Sequence, residues 1–78
     1  MKSVNDAFGQ YLKELRISRN LTQEELGFRS DLHRTYISLL ERGKKSPTLE
    51  TIFKLCDTLK FPVDKFIVGV IKILHDNQ

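Results

Sequence analysis

The chain has 78 residues, about half the length of an average domain, which leaves no room for a second one. Apolar residues make up 40% and charged residues 29%, a balance that excludes a disordered chain. No apolar run reaches the roughly 20 residues of a membrane span, and the segment MKSVNDAFGQ lacks the apolar core of a signal peptide. The single cysteine, Cys56, excludes an internal disulfide and fits a reducing compartment. We therefore expect a cytoplasmic protein.

Apolar residues recur at helical spacing between a few turn signals, of which Gly43, Pro47 and Pro62 are the clearest. Thr22 opens a very short second helix with a capping-box pattern that Glu25 completes. The predicted helices span residues 5–19, 23–29, 33–42, 49–60 and 64–75. The expected fold class is all-α, a compact bundle of five helices.

Three helices have a predicted core face. In the third helix, Ile37 and Leu40 point inward, and Gly43 supplies the left-handed residue that ends the helix. The first helix carries Phe8, Leu12, Leu15 and Arg19 on one face. The fourth helix has a wide apolar stripe of Leu49, Ile52, Phe53, Leu55, Cys56 and Leu59.

Positive charge is concentrated in the middle of the chain. The charges of residues 1–28 sum to zero, as do those of residues 46–78, so the formal net charge of +3 arises in residues 29–45. Clustered positive charge is the electrostatic footprint of a polyanion partner. The charge pattern is compatible with nucleic acid as a partner but is a weak signal by itself, because a net charge of +3 is also ordinary for a solvated face.

The outward face of the third helix has an unusual composition. It carries Arg34, Thr35 and Ser38 beside the apolar Leu39, whereas solvated faces usually carry Glu and Lys. Arginine can bind guanine through two hydrogen bonds, hydroxyl groups can bond to either base, and an aliphatic group can touch the thymine methyl. This face therefore suits the major groove of DNA.

Three stretches in this order resemble one known family: LTQEELG at 21–27, LHRTYISLLERG at 32–43 and PTLETI at 47–52. They are similar to the Cro/repressor (XRE-like) helix-turn-helix family, whose domain is lambda-repressor-like. The likeness runs from about Leu12 to Phe66. The tract RTYIS also looks like the small controller proteins of restriction–modification systems, which share this length and a dimeric five-helix form.

The resemblance implies a scaffold helix at 23–29 and a recognition helix at 33–42, followed by a loop along the DNA backbone. Arg16 and Glu41 match a family ion pair that ties the first helix to the end of the recognition helix. Tyr36 has an alternative as a core aromatic, and Leu39 could fill a contact within the domain. The expected DNA-binding residues are Thr22, Gln23, His33, Arg34, Thr35, Tyr36, Ser38, Leu39, Arg42, Lys44, Lys45 and Ser46.

The last helix carries apolar groups on more than one side, which is more than one contact with the core needs. Surplus apolar surface usually marks an interface, and twofold dimers are the commonest oligomers. The alternative is a small core that uses the whole helix. The expected homodimer interface consists of Phe66, Ile67, Val70, Ile71 and Leu74.

Catalysis has little support in the sequence. His33 and His75 lie 42 residues apart, and Cys56 falls in an apolar stripe where a buried structural thiol is expected. The chain has neither the spacing of metal ligands nor a glycine-rich phosphate loop. We therefore expect no enzyme, no catalytic residue, no cofactor, no metal and no small-molecule ligand.

These features together predict a sequence-specific transcriptional regulator that binds a palindromic operator in double-stranded DNA as a homodimer. The resemblance implies a restriction–modification controller that regulates its own promoter, with RNA polymerase as a further candidate partner. A phage-type repressor or an antitoxin of the same fold is the alternative within this class. A protein-interaction module is the alternative from a different class.

Overall fold

Helix follows helix along the whole described part of the chain. The computed structural model describes residues 2–76, and within that range it contains no β-strand. The helices are α1 (Val4–Ser18), α2 (Gln23–Ser30), α3 (Arg34–Glu41), α4 (Leu49–Leu59) and α5 (Val63–Asp76). The all-α prediction is confirmed, and every observed helix end lies within one residue of its predicted position. The predicted domain limits, residues 1 and 78, lie outside the described residues.

Local sequence explains where α1 to α4 begin and end. At each start, a side chain outside the helix accepts a hydrogen bond from a backbone N–H of the first turn, which would otherwise lack a partner. At each end, a residue in the left-handed conformation allows the chain to turn away. The starting residues are Ser3, Thr22, His33 and Thr48. The left-handed residues are Asn20, Asp31, Gly43 and Lys60.

The core lies between α1 and the helices packed around it. α1 contacts both α3 and α5, α2 contacts α3 and α4, and α4 contacts α5. Phe66 of α5 is buried against two aromatic rings of α1, with ring centroids 5.3 Å from Phe8 and 5.1 Å from Tyr11. Such tilted and edge-on pairs stabilise a core beyond their buried area. The inward positions predicted for Ile37 and Leu40 are confirmed, because both side chains are fully buried.

The predicted apolar stripe of α4 is too wide. Leu55, Cys56 and Leu59 are buried as expected, but Leu49 is 70% exposed and Phe53 is 55% exposed. Because α4 packs mainly against α2 and α5, it does not bury apolar residues around most of its circumference. Both side chains point toward solvent in the single chain.

The first and third helices cross at a glycine. A Cβ atom at Gly9 would clash with the carbonyl oxygen of Leu40 and lie only 2.6 Å from that of Glu41. Only a residue without a side chain allows the end of α3 to approach the backbone of α1 this closely. The crossing sets the position of α3 relative to the rest of the domain.

Candidate nucleic-acid interface

The helix-turn-helix unit is built by α2, α3 and the three residues between them. Asp31 adopts a left-handed conformation with φ of 59°, which Asp tolerates better than most residues. The backbone N–H of Leu32 then donates to the carbonyl oxygen of Gly27 over 2.8 Å. His33 lies outside α3 rather than within it, because its backbone is extended, and its Nδ1 atom caps the helix by accepting a hydrogen bond from the N–H of Thr35 over 3.0 Å. This bond leaves the Nε2 edge of the ring available for an outside partner.

Most of the predicted DNA-binding residues lie at the surface. The start of α3 presents three of them in succession, His33, Arg34 and Thr35, all exposed. The first turn of α3 contains no acidic residue, so the positive end of the helix dipole adds to the charge of Arg34. The other exposed members are Thr22, Arg42, Lys44, Lys45 and Ser46.

Three of the predicted DNA-binding residues on α3 are only half-exposed. The ring of Tyr36 packs against the core, and its hydroxyl oxygen lies 3.5 Å from Oγ1 of Thr51 in α4. Its packing agrees with the core alternative for this residue, and its contact with DNA stays a prediction. Ser38 and Leu39 keep part of their side chains at the surface, on the same helix as Arg34.

The start of α2 adjoins α3. Thr22 Oγ1 accepts from the N–H of Glu25 over 3.0 Å, and the N–H of Thr22 donates to Glu25 Oε1 over 2.9 Å, which confirms the predicted capping box. The two hydrogen bonds with Thr22 lower the pKa of the Glu25 carboxyl. Gln23, the first residue of α2, contacts the last residue of α3: its Nε2 atom donates to Glu41 Oε1 over 3.1 Å. This bond ties the start of α2 to the end of α3.

The predicted ion pair between Arg16 and Glu41 is present. Nε and Nη2 of Arg16 donate to the two carboxylate oxygens of Glu41 over 2.6 and 3.0 Å. The hydrogen bond to Glu41 raises the pKa of the Arg16 guanidinium. Because both side chains are buried below the surface, the role of this pair is to hold α3 in position.

The basic loop after α3, residues 42–48, is anchored on the first turn of α1. Gly43 has φ of +71°, and a Cβ atom there would clash with Oδ1 of Asp6. Ser46 Oγ donates to Oδ1 of Asn5 over 3.0 Å. Lys44 and Lys45 lie between these two anchors with exposed side chains. The loop thus presents two exposed lysines from an anchored backbone, and lysine is a side chain that can contact DNA phosphates.

An apolar groove runs beside this loop, on the side where α1, α4 and α5 meet. We call it the α5 groove; its apolar lining consists of Val4, Phe8, Pro47, Ile52, Ile67, Val70, Ile71 and Leu74. Ile67 is 38% exposed and Ile71 is 42% exposed, so both offer apolar surface to a partner. Phe66 and Val70 are different, because both are buried in the core of the single chain. The packing of α5 onto α1 leaves little of either side chain at the surface, and their place in the interface stays a prediction.

Features that would suggest other chemistry are weak in residues 2–76. The thiol of Cys56 is buried, and this desolvation raises its pKa to about 11. No group of three His, Cys, Asp or Glu side chains in the described chain could hold a metal ion. None of the described helices has both the length and the apolar character needed to cross a bilayer.

Three contributions to this surface were missed at the sequence level. Glu24 forms an ion pair with Arg34, Asn5 holds Ser46, and Val4 with Pro47 extends the α5 groove. Each pair joins residues that are 10 or more positions apart. Local periodicity carries no signal for such contacts, which only the packed helices create.

Comparison with known proteins agrees with this geometry. Residues 12–66 match the helix-turn-helix family. The control protein C.BamHI of Bacillus amyloliquefaciens is 47% identical over 53 residues, which cover 67% of this chain and 65% of that protein. This chain therefore spans slightly less than two thirds of that relative's length.

Solved structures of controller proteins have the same fold. The restriction-modification controller protein C.AhdI from Aeromonas hydrophila superposes with a TM-score of 0.77 at 39% identity, covering 80% of this chain and 94% of that one. The controller protein C.Esp1396I, solved as a tetramer with its natural 35 base-pair operator, gives a TM-score of 0.84 at 27% identity, covering 94% and 96%. A family match over more than half of the chain, together with these likenesses, means that this chain belongs to the helix-turn-helix family of the Cro/repressor (XRE) type.

Proposed function

We propose that this protein is a sequence-specific transcriptional regulator that binds operator DNA, with α3 in the major groove. The observation that carries the proposal is the exposed start of α3, where Arg34 and Thr35 stand at the positive end of the helix and Lys44 and Lys45 follow on an anchored loop. Side chains of this kind supply base contacts from the helix and phosphate contacts from the loop. Twelve residues remain the candidates for DNA contact, namely those predicted from the sequence.

The regulator acts as a homodimer in this proposal. The α5 groove, including Ile67, Ile71 and Leu74, packs in this dimer against the same groove of the second chain. A twofold dimer presents two copies of α3, so its operator is palindromic, with half-sites about one helical turn of DNA or a multiple of it apart. In this proposal one short domain both binds DNA and forms the dimer.

The best supported role within this class is that of a restriction–modification controller that regulates its own promoter. C.BamHI and C.AhdI, which this chain resembles at 47% and 39% identity, are controller proteins. A regulator of this kind works in the cytoplasm without a cofactor and without catalysis. Bound over a promoter it blocks RNA polymerase, and bound upstream it can recruit the polymerase.

Selection from a random duplex library at near-physiological salt tests the proposal. We expect the retained duplexes to share a twofold-symmetric motif, and we expect an Arg34→Ala variant to lose preference at one position of each half-site. Lys54→Ala is a matched control, because it also removes one positive charge that takes part in an ion pair. Lys54 lies on α4, and its Nζ atom is 3.7 Å from Oε2 of Glu50. Retention without any motif would contradict the proposal and favour a protein-interaction module that uses the α5 groove.

A further inference from the structure

Arg34, the first residue of α3, forms an ion pair with Glu24 of α2. Its Nη1 atom lies 3.2 Å from Oε2 of Glu24, and the two side chains are 65% and 73% exposed. The pair bridges the turn between the two helices at the point where the recognition helix begins. Its position on the candidate DNA surface distinguishes it from the ion pair of Glu50 and Lys54, which lies within α4.

Stability alone does not account for this pair. Exposed ion pairs contribute little to folding, because water and salt screen them and two long side chains lose freedom. A carboxylate beside a surface that binds phosphates also opposes DNA binding, since like charges repel. Glu24 therefore weakens the electrostatic attraction to any duplex, whatever its sequence.

The geometry leaves the recognition capacity of Arg34 intact. The contact with Glu24 uses Nη1, and Nε and Nη2 remain as two parallel donors on the other edge of the guanidinium. Two such donors match O6 and N7 of guanine. Held on one side by Glu24, the guanidinium is restricted in direction before it meets a base, which lowers the entropy cost of an ordered contact.

We propose that Glu24 is a positioning residue for sequence discrimination, which holds the Arg34 guanidinium for a guanine and opposes its use on phosphates. This role rests on the proposed function. In an operator complex the ion pair persists and Arg34 bonds to the base with its free edge. On other DNA the same carboxylate repels the backbone and keeps Arg34 from phosphates, which carry no sequence information. Specificity then comes partly from a repulsive element.

Glu24→Gln tests this role on a duplex that holds one dimer site. Dissociation constants are measured for the operator, for each single base-pair variant of it and for a scrambled duplex, at one salt concentration. We expect the variant to bind scrambled DNA more tightly and to lose about two- to fivefold of the discrimination at the base pair that Arg34 contacts. Discrimination at the other base pairs stays as in the wild type. In an Arg34→Ala background, Glu24→Gln no longer changes discrimination at any position.

Glu50→Gln is the matched control, because it removes the same charge and also breaks an exposed ion pair. We expect it to shift all dissociation constants by one common factor. If Glu24→Gln does the same as Glu50→Gln, or changes nothing, Glu24 has no positioning role. Two results are distinguishable. If the wild-type protein binds all duplexes equally, the proposed function itself is contradicted. If the wild-type protein prefers its operator and the Glu24→Gln variant discriminates equally well, only the positioning role of Glu24 is contradicted.

Discussion

Arg16 donates two parallel hydrogen bonds to the carboxylate of Glu41, and both side chains are almost entirely buried. The exposed fractions of the two side chains are 10% and 2%. The third donor group, Nη1 of Arg16, bonds to the carbonyl oxygen of Leu21 over 2.7 Å, and Gln23 adds a bond to the carboxylate. One buried carboxylate thus joins α1, the start of α2 and the end of α3.

Replacing Arg16 by Met should destabilise the domain by about 3 kcal/mol, because it leaves the Glu41 carboxylate buried without its cation. Thermal unfolding followed by circular dichroism measures the effect, and we expect the midpoint to fall by more than about 10 °C. Replacing both residues by Met is the control, since a well-packed apolar pair removes the unpaired charge and should recover much of the loss. A double variant as unstable as Arg16→Met would contradict this account.

Most of the fold follows from local sequence. Caps such as Thr22 and Thr48 and turn residues such as Gly43 are local signals, and they locate the helices to within one residue. The burial of Phe66 depends instead on which side of α5 meets α1. Tertiary packing decides which side of α5 is buried. When a helix is apolar on more than one side, the spacing of its apolar residues does not predict that side.

In the candidate site, too, the local features could be predicted from the sequence and the contacts between distant residues could not. The residues of α3 and the basic loop are consecutive in the chain, so their proximity could be predicted from the sequence. Glu24 and Asn5 could not, because each contacts a residue of another element of the fold, beyond the reach of local periodicity. The approach of α3 to α1 at Gly9 was also unpredicted, since a helical glycine has no local sign of the backbone it faces.

Arg34→Ala should reduce discrimination at one base pair of each half-site by roughly 1–3 kcal/mol, because the variant cannot form the two hydrogen bonds to guanine. Fluorescence anisotropy with the selected operator and its single base-pair variants measures the change. Arg29→Ala is the control: it removes the same charge from the exposed end of α2, and Arg29 is outside the predicted DNA-binding residues. Equal discrimination by wild type and Arg34→Ala at every position would rule out base recognition by this residue.

Lys44→Ala together with Lys45→Ala should weaken binding to all duplexes by a similar factor. Each lysine on a phosphate releases counterions on binding, so the slope of log K against log salt should become shallower by about 0.9 for each phosphate that the variant no longer neutralises. The slope is obtained from titrations at several salt concentrations. Lys65→Ala with Lys72→Ala is the control on α5, where both side chains are exposed. If the loop variant keeps the wild-type slope, the two lysines do not bind phosphates.

Ile71→Asp should produce a folded monomer. Ile71 is 42% exposed in the single chain, so an aspartate there costs little in the monomer but is buried and unpaired in a dimer. Analytical ultracentrifugation measures the mass, and operator binding should weaken because two half-sites are no longer bound together. Lys72→Asp, at the next and exposed position outside the groove, should remain dimeric. A dimeric Ile71→Asp chain would exclude the α5 groove as the interface.

The buried thiol of Cys56 predicts a loss of stability at alkaline pH. Burial raises its pKa from 9.0 to about 11, so the folded state keeps the proton over a range in which the unfolded chain releases it. The stabilising contribution is therefore complete below about pH 9 and is lost as the pH rises toward 11. Urea unfolding at pH 8 and pH 10 measures it against Cys56→Ala, whose cavity lowers stability equally at both pH values. The stability advantage of the wild type over Cys56→Ala should shrink at pH 10, because only the wild type has this thiol to titrate. A pH-independent difference between the two proteins would show that the thiol titrates alike in the folded and unfolded chains.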